Sequence, residues 1–340
     1  MTIPPPASTS APKRITVVGA GIAGLWVART LGLRGHEVTL IEASAAPFER
    51  AASRYAGAML APYCEAEAAE PIVRDLGVEA LALWRAAFPG ATFKGSLVIA
   101  QPRDRAELLR FARMTEGHET LDAARMEALE PDLAGRYAAG LFYPAEGHMA
   151  PAQAMSALLE QARAAGCEIR FGETWMATAT EDLVVDCRGL GARSELPNLR
   201  GVRGERVLLR ARDVSLSRPV RLLHPRFPLY IVPWGEGCYM VGATVIETED
   251  DGPVTARSAL ELLGAAYAVH PAFGEAEILE LGAGVRPAFP DNVPRLLADG
   301  RHLHINGLYR HGFLMSPILA EFAAGYAETG DTSHPIFLKP

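Results

Sequence analysis

RITVVGAGIAGLWVARTLGLRGHEVTLIEAS, residues 14–44, reads as strand, glycine turn, helix and strand in immediate succession. Ile15 to Val18 form a mostly apolar run, with Thr16 its one polar residue, which reads as a strand. Helical patterning from Ile22 to Arg34 stops at Gly35, and Glu37 to Ile41 supply a second strand that ends in Glu42. Gly19 permits the tight turn, Gly21 lets backbone approach a pyrophosphate at the helix N-terminus, and Gly24 lets the helix pack closely on the strand. Glu42, eighteen positions beyond Gly24, is placed to accept hydrogen bonds from a ribose diol. A complete β-α-β unit of this kind predicts dinucleotide binding, with contacts from Gly19, Gly21, Ile22, Ala23, Gly24, Glu42 and Ala43. The fingerprint serves nicotinamide and flavin cofactors alike, so the rest of the chain must decide between them.

Composition narrows the function classes. A chain of 340 residues, 49% hydrophobic and 21% charged, can bury a sizeable core and suits two domains. Its formal charge of −7 and scattered arginines argue against nucleic acid or an anionic membrane as the main partner. Apolar runs fall short of the roughly 18 to 20 residues that span a bilayer, and MTIPPPASTSAPKR at the N-terminus lacks a hydrophobic signal region. Residues 1–13 are therefore expected to be a disordered tail on a cytoplasmic protein. Cys64, Cys167, Cys187 and Cys238 stand far apart with no CxxC pair, which predicts buried thiols rather than a disulfide framework or a metal site. His302 and His304 alternate with Leu303 and Ile305 and read as the polar face of a strand, again without a metal.

After Glu42 the chain does not continue into further β-α-β units. ASRYAGAML, residues 52–60, is a run of small residues that reads as a loop laid against a flat ring system, with contacts from Ser53, Arg54, Ala58, Met59 and Leu60. PAQAMSALLEQARAAGCEIRFG, residues 151–172, carries Ala154, Leu158, Leu159 and Ala162 at helical spacing, then a short strand. EDLVVDCRGLGARS adds an apolar strand followed by Gly189 and Gly191. RHLHINGLYRHGFLMSPILAEFAAGYAETG repeats strand, glycine turn and helix, the helix beginning near Met315. Its N-terminus would stabilise the negative charge of a reduced flavin, through Arg310, His311, Gly312, Phe313, Leu314 and Met315. Between these pieces lie strand-forming segments, including a hairpin in which Tyr230–Pro233 and Cys238–Thr244 flank WGEG. The expected partition is residues 14–80, 148–200 and 283–334 for the nucleotide domain, and 81–147 with 201–282 for a substrate domain.

VVGAGIAG with Glu42, YAGAMLAPYCEAE, VRGE at 202–205, YIVPWGEGCYMVGAT, GAGVRP and GLYRHGF followed by SP occur in this order. Together they resemble the D-amino-acid oxidase superfamily of FAD-dependent oxidoreductases, within it the glycine oxidase branch linked to thiamine biosynthesis. The resemblance implies an α/β fold: a glutathione-reductase-type FAD-binding domain with an inserted antiparallel-sheet substrate domain of α+β type. It implies oxidation of a small amino acid or amine with dioxygen reoxidising the flavin, a homo-oligomer, and a link to thiazole formation. It also implies that Arg286 clamps the substrate carboxylate, that Tyr230 lines the same pocket, and that Arg310 is a second pocket arginine. No cysteine stands beside GAGVRP, so non-covalent FAD is expected. Val245 stands where the family's VGATM has methionine, and HGF at 311–313 is closer to sarcosine oxidases than to the family's GHxRNG. Sarcosine or D-amino-acid oxidation, or a dehydrogenase with another electron acceptor, is the alternative, and a non-catalytic nucleotide-binding protein is a second.

Arg286 also poses a question on residue type alone. A guanidinium stays protonated, so placing it in LGAGVRPAFPDN, residues 281–292, demands a partner. That partner is an internal acid such as Glu280 or Asp291, or the carboxylate of a ligand. The glycines and alanines around it are expected to let the strand pass beside a flavin. Hydride transfer from an α-carbon needs alignment more than acid-base help, and a guanidinium fork on the carboxylate provides it.

Overall fold

The computed structural model describes residues 11–224 and 228–338. Residues 1–10 of the expected tail lie outside that range, whereas Lys13 is held by its amide on His36 Nδ1 and by its ammonium on the Ala327 carbonyl.

One sheet has seven strands in the order β17 (Phe337–Leu338), β15 (Arg295–Asp299), β16 (His302–Asn306), β9 (Leu183–Asp186), β1 (Arg14–Val18), β2 (Glu37–Glu42) and β8 (Glu168–Phe171). All its pairs are parallel except β15 with β16. The β1 burial follows from its place at the centre: Ile15 to Val18 are buried without alternation. Helices α1 (Ile22–Leu33), α6 (Pro151–Ala164) and α8 (Gly312–Thr329) pack with this sheet into one apolar core, to which α3 (Pro71–Ala87) adds Val73, Leu76 and Trp84. Almost every side chain of α1 is buried, because it lies between the sheet and other helices. Across the sheet, Trp175 packs edge-on against His302, and the rings of His302 and His304 stack.

A second sheet has eight strands in the order β14 (Glu277–Ala288), β10 (Arg200–Arg210), β13 (Cys238–Gly242), β12 (Leu229–Gly235), β11 (Val220–Leu223), β4 (Ser96–Ala100), β6 (Ala139–Tyr143) and β5 (Glu119–Asp122). It is antiparallel but for β4 with β11, which are parallel. That exception arises where two separate segments of chain meet, so no hairpin dictates the direction. Helices α4 (Arg105–Met114), α5 (Ala123–Leu129) and α7 (Ala256–Val269) pack against this sheet. A two-stranded ribbon, β3 (Met59–Leu60) with β7 (Gly147–His148), and the single turn α2 (Pro62–Glu65) join the two parts.

All four expected cuts fall inside continuous elements, those at 147/148 and 200/201 within β7 and at the start of β10. Helix α3 runs through the 80/81 position, and β14 runs through 282/283 and on to Ala288. β14 pairs with β10 along its whole length, and six residues, 289–294, then take the chain to β15 of the first sheet.

Candidate active site

The two helix N-termini expected to face a cofactor converge. A Cβ on Gly312, the first residue of α8, would stand 3.4 Å from Ile22 Cγ2, at the first residue of α1. Helix α8 thus starts three residues before Met315, the start expected from its pattern. Pro317 sits inside it and cannot donate to Phe313; the indole N–H of Trp84 donates to that carbonyl instead, at 2.6 Å. Phe313, Leu314 and Met315 are buried, while His311 is the N-cap residue.

The glycine turn has the geometry that its residues promise. Gly19 has φ +97° and donates to Ile41 O at 2.8 Å, and a Cβ there would stand 2.9 Å from Cys187 O. A Cβ on Gly24 would stand 1.8 Å from Gly19 O, so only glycine brings α1 this close to the turn. A Cβ on Gly21 would meet nothing nearer than Ser53 Oγ at 3.7 Å, so protein packing alone does not require glycine there. Ser53 Oγ accepts from the Ile22 amide at 3.2 Å, and α1 has no side-chain cap of its own. Glu42 accepts from the Ala20 amide at 2.8 Å and the Ser44 amide at 2.9 Å, which leaves each carboxylate oxygen able to accept again. Ala23 is buried and Ala43 is exposed beside Glu42. This donor and acceptor set fits a dinucleotide.

The remaining expected contacts divide. Ala58 is buried at φ +51° and its carbonyl accepts from Met149 N; Met59 and Leu60 form β3. Gly189, at φ +57°, offers its carbonyl to Asn306 Nδ2 at 2.9 Å. Arg54 is exposed and lies 3.7 Å from Glu280, over the Tyr55 ring.

Around Arg286 the small residues serve another purpose than the expected one. Cβ atoms on Gly282 and Gly284 would strike the Tyr55 ring at 2.6 and 3.0 Å, so these glycines seat a tyrosine. The neighbouring strand seats the arginine: a Cβ on Gly204 would stand 1.9 Å from Arg286 Nη2. Gly204 lies between Arg203 and Glu205, whose side chains form a buried 2.7 Å ion pair. Glu205 in turn anchors Thr244, whose carbonyl accepts from Arg286 Nη1 at 3.2 Å.

Neither internal acid considered for Arg286 reaches it. Glu280 pairs with Arg206 at 2.9 Å and Asp291 with Arg295 at 2.6 Å. Among the described residues Arg286 has no ion pair, and its only protein acceptor is a neutral carbonyl. Burial, then the neighbouring Arg310, push its pKa down to about 10, so it remains a cation at neutral pH.

Arg310 is held differently. A hydrogen bond from Tyr309 N to Pro287 O, 2.8 Å, brings its loop against the end of β14. Its Nη2 lies 3.3 Å from Glu65 Oε1 and 3.4 Å from Tyr230 Oη, and Tyr230 donates to the same Glu65 oxygen at 2.8 Å. Burial would raise the Glu65 carboxyl, but Arg310, with His311, Arg221 and the Tyr230 hydroxyl, holds it down at about 2. Burial pushes Tyr230 well above the ordinary phenol range and His311 down to about 4, so both are uncharged. Arg221 spans Glu67 at 3.0 Å and the Cys64 carbonyl at 3.0 Å.

Glu65 is the residue that sequence reasoning passed over. It stands inside YCEAE, where its acidic neighbour Glu67 gave it no distinction. Only the pairing of α2 against β12 and the 307–313 turn sets it between Arg310 and Tyr230.

The sequence model of the DAO family, described as FAD dependent oxidoreductase, matches residues 14–325. A Rhizobium etli protein bearing the name thiamine biosynthesis oxidoreductase ThiO is 54% identical over 308 residues, covering 90% of this chain and 94% of that protein. The glycine oxidase of Geobacillus kaustophilus is 28% identical over 366 residues, 94% of each chain. The crystal structure of glycine oxidase from Geobacillus kaustophilus superposes with a TM-score of 0.81 at 24% identity, over 94% of this chain and 96% of that one. The likeness bears out the expected fold class.

Proposed function

The chain belongs to the family of FAD-dependent oxidoreductases, and on that premise we propose that it oxidises a small amino acid. The substrate is glycine or a similar primary or secondary amine, and the enzyme is an oxidase serving thiamine thiazole formation, a reading supported by the words thiamine biosynthesis in the name of its Rhizobium etli relative. One observation carries the proposal: among the described residues Arg286, at the end of β14 that the Tyr309–Arg310 loop meets, has no ion pair and is offered only a neutral carbonyl. A part-buried guanidinium with no acid beside it calls for a carboxylate brought in from outside.

The glycine turn, Ser53 and Glu42 would hold the adenylate and pyrophosphate, and the Gly312 end of α8 would face the ring system. None of Cys64, Cys167, Cys187 and Cys238 neighbours Arg286 in the chain, and the cofactor is read as non-covalent. When bound, FAD would supply the hydride acceptor for the substrate α-carbon and the electron path to dioxygen, so that amino acid, oxygen and water would become 2-oxo acid, ammonia and hydrogen peroxide. The protein's part is placement. The guanidinium fork fixes the carboxylate bidentately, which limits rotation of the α-carbon. Tyr230 is held in place by the hydrogen bond that its hydroxyl donates to Glu65, at 2.8 Å. His311 is neutral and adds no competing positive charge, and no side chain of the cluster is required as a base if the amine reacts uncharged.

Anaerobic mixing of the yellow holoprotein with glycine, sarcosine and D-alanine tests the reading. Bleaching of the flavin band by at least one of them, then one peroxide and one ammonia per glycine oxidised in air, is expected. Turnover only with an artificial acceptor would remove the oxidase assignment, and failure of every amine to bleach the flavin would remove the function.

A further inference from the structure

Charge accounting around the candidate site yields a specificity determinant that rests on the amino acid oxidase reading. Three arginines converge there: Arg221, Arg286 and Arg310. Arg221 is matched by Glu67, which also meets Arg110 on its outer side at 2.8 Å. Arg310 is matched by Glu65, at 3.3 Å. His311 approaches the other Glu65 oxygen only to 4.0 Å and is uncharged, as is Tyr230. Among the described residues one of these three cations, Arg286, is left for a ligand.

We infer that Glu65 restricts the enzyme to amino acids with a single carboxylate, by occupying the second arginine that would otherwise receive another. The carboxylate of Glu65 plays toward Arg310 the part that a substrate side-chain carboxylate would play. A dicarboxylic amine therefore brings one anion to Arg286 and a second into a region already neutralised, where Glu65 repels it. Like-charge juxtaposition in a desolvated site is a strong rejecting element. The hydroxyl of Tyr230, bound to the same Glu65 oxygen, is turned inward by this arrangement and offers the ligand its lone pairs rather than its proton. Glu65 thus acts on substrate choice through Arg310 and Tyr230, as a positioning residue.

Glu65→Gln keeps the shape and leaves the Arg310 charge unpaired. Measured on holoprotein by anaerobic flavin reduction, the ratio of reduction rate constant to Kd for iminodiacetate or D-aspartate relative to glycine should rise by about 10- to 100-fold, mostly through Kd, as one charge-assisted contact predicts. Glu65→Asp, which keeps the charge, should retain the wild-type ranking; a merely structural role would predict equal loss on all substrates in both variants. An unchanged ratio in Glu65→Gln overturns the inference while glycine oxidation by the wild type leaves the functional reading intact. If Glu65→Gln does not retain flavin, titration of the wild-type flavin spectrum decides: acetate should bind at least about tenfold more tightly than malonate, and equal affinity overturns the inference. If no amine reduces the wild-type flavin and no carboxylate perturbs it, the functional reading fails and the specificity role falls with it.

Discussion

Replacing Arg286 by methionine removes the charge and the fork while keeping most of the aliphatic volume. A bidentate contact contributes two charge-assisted hydrogen bonds of about 1.5 to 3 kcal/mol each, so carboxylate affinity should fall by about 3 to 6 kcal/mol, or about 10²- to 10⁴-fold. The fold responds in the opposite sense. Burial and Arg310 lower the folded pKa of Arg286 from 12.5 to about 10, which means that keeping it charged lowers the stability of the folded chain at every pH below that value. A shift of that size corresponds to about 3 kcal/mol. Partial exposure and the lost bond to Thr244 O reduce the gain on substitution to about 1 kcal/mol. The assay is paired: spectral titration of the holoprotein with acetate and glycine, and thermal unfolding without ligand at pH 7. Affinity should collapse while the melting temperature holds or rises by a few degrees. Unimpaired acetate binding, or a large fall in melting temperature, would refute the reasoning, since either would mean that Arg286 has its partner within the protein.

Three further outcomes are expected. Glu42→Gln should weaken FAD retention, measured by flavin released on dialysis, while circular dichroism stays unchanged; full retention would mean that this carboxylate does not hold the ribose. Glu146 is fully buried, accepts from Cys64 N at 2.7 Å, and is pushed up to about 7 by burial. Its folded pKa exceeds the unfolded 4.5, so its contribution to stability is present below pH 4.5 and lost as pH rises through about 7. Glu146→Gln should then stabilise the protein at pH 8 by up to about 3 kcal/mol and scarcely at pH 4; equal melting shifts at both pH values would contradict this. Trp84→Phe leaves the Phe313 carbonyl unpaired beside Pro317 and should destabilise by about 1 to 3 kcal/mol. Adding Pro317→Ala restores a donor in the helix, so the double variant should recover stability; simple additivity in urea unfolding would show that the indole bond does not substitute for the missing amide.

Legibility followed sequence distance. The β1-α1-β2 unit was readable because each of its demands is local: Gly19 at a positive φ, Gly24 against Gly19 O, and Glu42 accepting from the Ala20 and Ser44 amides all lie within thirty residues of chain. The WGEG hairpin was readable for the same reason, with β12 and β13 pairing across it. The start of α8 was misplaced by three residues because His311 caps it without the side-chain hydrogen bond of an ordinary N-cap. Arg286 could be singled out as a charge in need of a partner, since residue type alone dictates that need.

Which partner it lacked was beyond the sequence. Glu280 and Asp291 are nearby in the chain, and only the tertiary arrangement assigns them to Arg206 and Arg295. Likewise Gly282 and Gly284 looked like space for a ligand, and the fold fills it with Tyr55 from a loop more than two hundred positions away. Glu65 meets Arg310 across 245 residues and Tyr230 across 165. The amino acids thus determined a dinucleotide fold and an arginine awaiting an anion. The tertiary structure decided which charges cancel, because Coulombic pairing in a desolvated site depends on distances of a few ångströms that chain order does not encode.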